Sequence, residues 1–187
     1  PCFFDRNYHF GLNWYKSLYK LNKKHRYFIE ASTDTMWYPE AFKRIKVNFP
    51  SAKIIYSLRN PGARSFASYL RMIDKSGEDR EFYDIFDNTN LLKKRSEYPK
   101  SLKNCYKYFK KEDVLILIFE RWINDPSYLS LQINKFLNLK SSLIINKIPK
   151  SNSSRIAPVS INLQKFRQKY LLNNYKDNML LFYSKAI

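Results

Sequence analysis

Three short apolar runs, residues 26–30, 53–58 and 113–119, are each bounded by polar or turn residues and are too short for helices of ordinary length. Such runs read as strands buried on both faces, the pattern of a parallel sheet. Stretches of helical period lie between them. Residues 37–48 place Trp37, Ala41, Phe42 and Ile45 on one face, and residues 61–73 open with Asn60 as cap and Pro61 at the first helical position. Residues 99–110 and 126–137 repeat that start signal, the second with Asp125 as cap and Leu129, Ile133, Phe136 and Leu137 facing inward. Alternation of strand and helix predicts an α/β architecture, a parallel sheet flanked by helices. Residues 74–97 and 147–160 lose the periodicity and read as loops. A last helical region is expected over 162–186, interrupted near Asn173 and Asn174.

A chain of 187 residues supports one hydrophobic core, so residues 1–187 read as a single domain. Hydrophobic residues at 44% and aromatics at 17% lie far from the composition of disordered segments, and the chain is expected to fold. The longest uncharged apolar run, 114–119, falls well short of the ~20 residues that cross a bilayer, so no membrane span is expected in this segment. No basic stretch followed by an apolar one opens the chain, and a start on Pro1 reads as cut rather than natural.

Cys2 and Cys105 belong to no paired-thiol or Cys/His metal spacing, and His9 and His25 stand alone, so no metal site is expected. Cys105 falls with Leu102, Tyr106 and Phe109 on one helical stripe and reads as a small buried hydrophobe. Lys and Arg total 34 against 16 for Asp and Glu, a formal charge of +18, which calls for anionic partners. Nucleic acid, acidic polysaccharide and a phosphorylated nucleotide all satisfy that demand.

In an open parallel sheet, ligands bind beyond the C-terminal ends of the strands, where helix N-termini offer unpaired N–H groups. The run Ile54-Ile55-Tyr56-Ser57-Leu58 passes at once into Arg59-Asn60-Pro61-Gly62-Ala63-Arg64-Ser65-Phe66-Ala67-Ser68-Tyr69. A guanidinium at that point can pair bidentately with a phosphate while the helix start adds backbone donors. The alternative is that Arg59 merely pairs with a carboxylate at the sheet edge.

An Arg-Asn-Pro after an apolar strand, followed by Arg, small residues and Ser-Tyr, resembles the 3′-phosphate motif of sulfotransferases that use 3′-phosphoadenosine 5′-phosphosulfate (PAPS). Four further blocks agree in order. Phe3-Phe4-Asp5 with Gly11-Leu12-Asn13-Trp14-Tyr15 resembles the family's segment after its Lys-Glu pair, and Ile29-Glu30-Ala31-Ser32 its second strand. Phe49-Pro50-Ser51-Ala52-Lys53 leads into the third strand, and 114–122 with Asp125-Pro126 and Phe136-Leu137-Asn138-Leu139 resembles a later strand and helix. The resemblance is strongest to the carbohydrate-directed and bacterial branch. It implies a fold like that of P-loop-containing nucleoside triphosphate hydrolases, lacking here its first strand and P-loop. The three glycines, Gly11, Gly62 and Gly77, are too scattered to form a phosphate loop, and the family's catalytic Glu would lie immediately before Pro1.

By resemblance, PAPS is the co-substrate, no metal is needed, and the acceptor is a hydroxyl or amine, expected on a carbohydrate. An acceptor deprotonated by a carboxylate attacks the sulfur while basic groups stabilise the departing phosphate. Arg59 and Ser68 would bind the nucleotide, and Lys150, Ser151 and Arg155 would belong to a basic loop closing over it; the alternative for that loop is a solvated surface. The family's phosphate-binding Ser falls here on Ala67, and Ser68 is turned from it by about 100° on a helix. Asp5 would support the acceptor side, or else cap a helix over 7–19. Thr33-Asp34-Thr35 interrupts the family's Ser-Pro-aromatic pattern. Trp14, Trp37 and Tyr98 read as packing residues. The competing function is a catalytically inactive basic fragment that binds acidic polysaccharide or, less in keeping with the motifs, nucleic acid. A phosphoryl-transferring P-loop enzyme ranks last because it needs the absent loop. The compartment depends on the source, cytoplasm for a bacterial enzyme and Golgi lumen for a eukaryotic glycan-modifying one.

Overall fold

The computed structural model describes residues 1–20, 25, 27–88, 91–139 and 143–148. The helical region expected over 162–186 and most of the loop 147–160 lie outside the described residues. Two strands, β1 (Ile54–Leu58) and β2 (Val114–Ile118), pair in parallel with Ile54 opposite Val114 and Leu58 opposite Ile118. The helices are α1 (Gly11–Ser17), α2 (Ala41–Asn48), α3 (Pro61–Ser76), α4 (Phe82–Asn88), α5 (Leu91–Lys94), α6 (Tyr98–Cys105), α7 (Phe119–Trp122) and α8 (Pro126–Leu137). The parallel pair flanked by helices is the expected α/β arrangement.

Local sequence explains the firmest boundaries. Asn60 Oδ1 accepts from the Ala63 N–H at 3.0 Å, and Pro61 occupies the first turn, where a missing N–H costs nothing. Asp125 repeats the device with the Tyr128 N–H at 2.9 Å. Gly77, at φ 63°, ends α3 in the left-handed region that glycine enters without penalty.

Other boundaries differ from expectation. Residues 27–30 are not a strand: no neighbouring strand among the described residues supplies a ladder, and Ile29 is 78% exposed. Phe28 instead packs its ring on Tyr19 and Phe49. β1 is buried on one face only, with Tyr56 and Leu58 inward and Ile55 and Ser57 outward. The helix expected from residue 37 begins at Ala41, because Pro39 forces Tyr38 into extended backbone after a 3₁₀ turn over Thr35–Trp37. The helix expected over 7–19 is a 3₁₀ turn, Tyr8–Phe10, followed by α1, with the break at Gly11 (φ 80°). The helix expected over 99–110 is α6, and beyond Cys105 the chain tightens into turns, Tyr108 N–H donating to the Cys105 carbonyl. Residues 74–97, expected as loop, carry α4 and α5, whose Ile85 and Leu92 are buried, with Phe82 edge-on to Phe66 and Tyr69 of α3.

The core lies between the N-terminal segment, α2, α6 and the inner face of the strands: Phe3, Phe4, Tyr15, Phe42, Ile45, Tyr56, Leu58, Cys105, Phe109 and Val114. Phe3 stacks on Tyr15 with centroids 4.4 Å apart. The Tyr56 hydroxyl and Ser101 Oγ lie 3.2 Å apart, and Ser101 donates to the Met36 carbonyl at 2.6 Å, so the one polar group of the inner strand face is satisfied. Trp37 stacks on Tyr98 and Trp14 packs against Phe3 and Phe10, as packing residues do. Among the described residues no helix is long and apolar enough to cross a membrane.

Phe42, 2% exposed, and Ile55, 46% exposed, test this division of the strand faces. Phe42→Ala is expected to cost about 3–5 kcal/mol, and Ile55→Ala about 1 kcal/mol or less, in urea unfolding; equal losses would contradict it. Cys105 is fully buried, and burial pushes its thiol from the ordinary 9.0 to about 11. A raised acid contributes stability below its unfolded value and loses it as pH rises toward the folded one. The stability gap between the unaltered chain and Cys105→Ala is therefore expected to hold below pH 9.0 and shrink toward pH 11. A gap constant across that range would contradict the burial of the thiol.

Candidate functional site

The parallel register sets Leu58 beside Ile118, so Arg59-Asn60 and Phe119-Glu120 leave the sheet side by side at its C-terminal edge. The Arg59 guanidinium is partly exposed, lies 5.4 Å from the centroid of the Phe119 ring, and has its Nε 4.0 Å from Glu120 Oε1. Its terminal nitrogens make no hydrogen bond among the described residues. The Asn60 N–H donates to Glu120 Oε1 at 2.8 Å. At the start of α3, Pro61 has no N–H, Ala63 is satisfied by the cap, and Gly62 is the remaining donor facing outward from the helix end.

Ser68 lies two turns into α3 and is partly buried, its Oγ 3.4 Å from Arg64 Nη1. Ser65 is buried, its hydroxyl 2.8 Å from Ser96 Oγ and 3.4 Å from the Leu92 carbonyl, so it faces α5 and not the strand ends. Arg64 is the half-buried anchor between them: Nε donates to Ser96 Oγ at 3.0 Å and Nη2 to the Leu92 carbonyl at 2.6 Å. Burial holds this guanidinium below its ordinary pKa.

Asp5, 5% exposed, caps no helix: Oδ1 accepts from the Arg6 N–H at 2.6 Å and Oδ2 from Thr35 Oγ1 at 3.2 Å. Arg44 Nη1 donates to the Phe4 carbonyl at 2.9 Å, which fastens the same segment to α2. Asp5 bonds neither to Arg59 nor to Ser68. A relay of contacts joins the two regions. Asp34, next to Thr35, pairs with Arg6 and, at 3.2 Å, with Arg95, and Ser96 passes the connection to Arg64 and so to α3. Sequence reasoning missed Asp34, Arg95 and Ser96; the one trace of them was the Thr33-Asp34-Thr35 interruption. Lys150, Ser151 and Arg155, expected in a closing loop, lie outside the described residues.

The Sulfotransferase family profile matches residues 2–142. Heparan sulfate glucosamine 3-O-sulfotransferase 3B1 of Mus musculus is 27% identical over 149 residues, 75% of this chain and 38% of that protein. Heparan sulfate glucosamine 3-O-sulfotransferase 6 of Homo sapiens is 28% identical over 148 residues, 75% of this chain and 43% of that protein. The chain thus spans about two fifths of the length of these relatives. A crystal structure of a sulfotransferase from Alicyclobacillus acidocaldarius superposes with a TM-score of 0.68 at 22% identity, covering 76% of this chain and 62% of that one. That likeness shows the fold, and the family profile covering most of the chain shows that it belongs to the sulfotransferase family.

Proposed function

We propose that this chain carries the 3′-phosphate half of the PAPS site in a sulfotransferase that moves a sulfonate group to a carbohydrate hydroxyl or amine. The observation that carries the reading is the setting of Arg59: the end of a parallel strand, terminal nitrogens open, and the Gly62 amide of a capped helix beside it. A planar fork with an adjacent backbone donor matches the oxygens of a phosphomonoester. The carbohydrate acceptor is supported by the names of the relatives, which act on heparan sulfate glucosamine. Asp5, enclosed and holding two donors, serves the acceptor side by fixing the loop through Thr35. Ser68 keeps its own proton available while Arg64 donates to its oxygen. Lys150, Ser151 and Arg155 remain proposed partners of the nucleotide, on the resemblance alone.

The competing reading, a basic module that holds polyanions without catalysis, draws on the charge of +18. Salt separates the two: nonspecific binding weakens steeply with ionic strength and ignores a competing nucleotide.

Arg59→Ala is expected to weaken binding of 3′-phosphoadenosine 5′-phosphate by about 2–3 kcal/mol, the scale of a lost charge-assisted bond, in calorimetric titration. Adenosine 5′-phosphate, which lacks the 3′-phosphate, loses much less. Ala67→Ser, which restores the family's hydroxyl, is expected to strengthen binding of the first nucleotide only. Equal losses for both nucleotides on Arg59→Ala would leave Arg59 as an ion-pair residue of the sheet edge.

A further inference from the structure

Three contacts run from one short element to the residues around Arg59. α7 has four residues, and three of them reach the end of β1 or the turn after it. Trp122 Nε1 donates to Ser57 Oγ at 3.1 Å, two residues before Arg59. Glu120 Oε1 accepts from the backbone N–H of Asn60 at 2.8 Å, one residue after it. The Phe119 ring lies 5.4 Å from the guanidinium carbon itself. The chain on both sides of Arg59 is therefore held from α7, although some 60 residues separate the two segments.

We infer that Glu120 is a positioning residue for the phosphate anchor, acting through the Asn60 backbone rather than by neutralising Arg59. This inference rests on the reading of Arg59 as that anchor. Geometry separates the two ways in which a carboxylate can act here. The ion pair to Arg59 is long, 4.0 Å, and both side chains are more than two-fifths exposed, a setting in which such pairs contribute little. The bond to the Asn60 N–H is short and directed, and Asn60 is the cap that starts α3. Fixing that peptide fixes the direction in which Arg59 leaves β1. Glu120 approaches on the Nε side, and the terminal nitrogens make no hydrogen bond among the described residues. A carboxylate that instead competed with phosphate would have to be displaced on binding, and its removal would strengthen binding.

The measured quantity is the ratio of affinities for 3′-phosphoadenosine 5′-phosphate and adenosine 5′-phosphate, titrated by calorimetry against the chain and its variants. Glu120→Ala is expected to lower the ratio about tenfold, the factor for one lost directed hydrogen bond. Glu120→Gln keeps an acceptor for the Asn60 N–H without the charge and is expected to hold the ratio within about threefold. In the Arg59→Ala background, Glu120→Ala should have no further effect on the ratio. An unchanged or raised ratio in Glu120→Ala, with Arg59→Ala lowering it as expected, overturns the positioning role and leaves Arg59 as the anchor. An unchanged ratio in Arg59→Ala overturns the anchor and this inference together. Glu120 is exposed, and matching melting curves for both variants confirm that the comparison is between folded chains.

Discussion

The parallel pairing of β1 with β2 is the contact on which the rest depends. Its register places the last residues of two strands, distant in sequence, at one edge, and both chains leave that edge into helices. Arg59, Asn60, Phe119 and Glu120 are neighbours for that reason. A slip of one residue would turn Tyr56 and Leu58 out of the core and carry Arg59 to the other side of its own turn. The core cluster that includes Phe3, Tyr15 and Phe42 penalises such a slip, because Tyr56 and Leu58 would lose their burial in it.

Two arginines five residues apart show how burial divides labour along one segment. Arg64 is enclosed, and its donors are spent on the Leu92 carbonyl and the hydroxyls of Ser96 and Ser68, so it fastens α3 to α5. Arg59 stands at the strand end with its fork open. A desolvated guanidinium must have its donors satisfied within the protein, whereas an exposed one retains capacity for a ligand. The same contrast holds for the carboxylates. Asp5 is enclosed with two donors, and Glu120 is exposed and bonded to a single backbone amide.

What was legible in the sequence was local. Asn60-Pro61 and Asp125-Pro126 announce helix starts by side-chain and ring chemistry that acts within three residues, and both start where expected. The placement of Arg59 at a strand end was legible because an apolar strand running directly into a capped helix is itself a local pattern. Residues 27–30 have strand composition, yet a strand takes its hydrogen bonds from a neighbour, which residue types alone do not reveal. α4 and α5 escaped because each is too short to show a helical period, and burial of Ile85 and Leu92 with packing of Phe82 on Phe66 and Tyr69 of α3 supports their structure. Glu120 and Ser96 were invisible as partners for the same reason, since their contacts span 60 and 32 residues.

On the proposed reading, the alanine at position 67 leaves Arg59 and the Gly62 N–H as the groups offered to the 3′-phosphate. The most direct measurement is a crystal structure of this chain with 3′-phosphoadenosine 5′-phosphate. The account predicts the 3′-phosphate oxygens within hydrogen-bond distance of the terminal nitrogens of Arg59 and of the Gly62 N–H, with Glu120 still bonded to Asn60. A nucleotide bound elsewhere on the lysine-rich surface, with Arg59 still facing Glu120 alone, would contradict it.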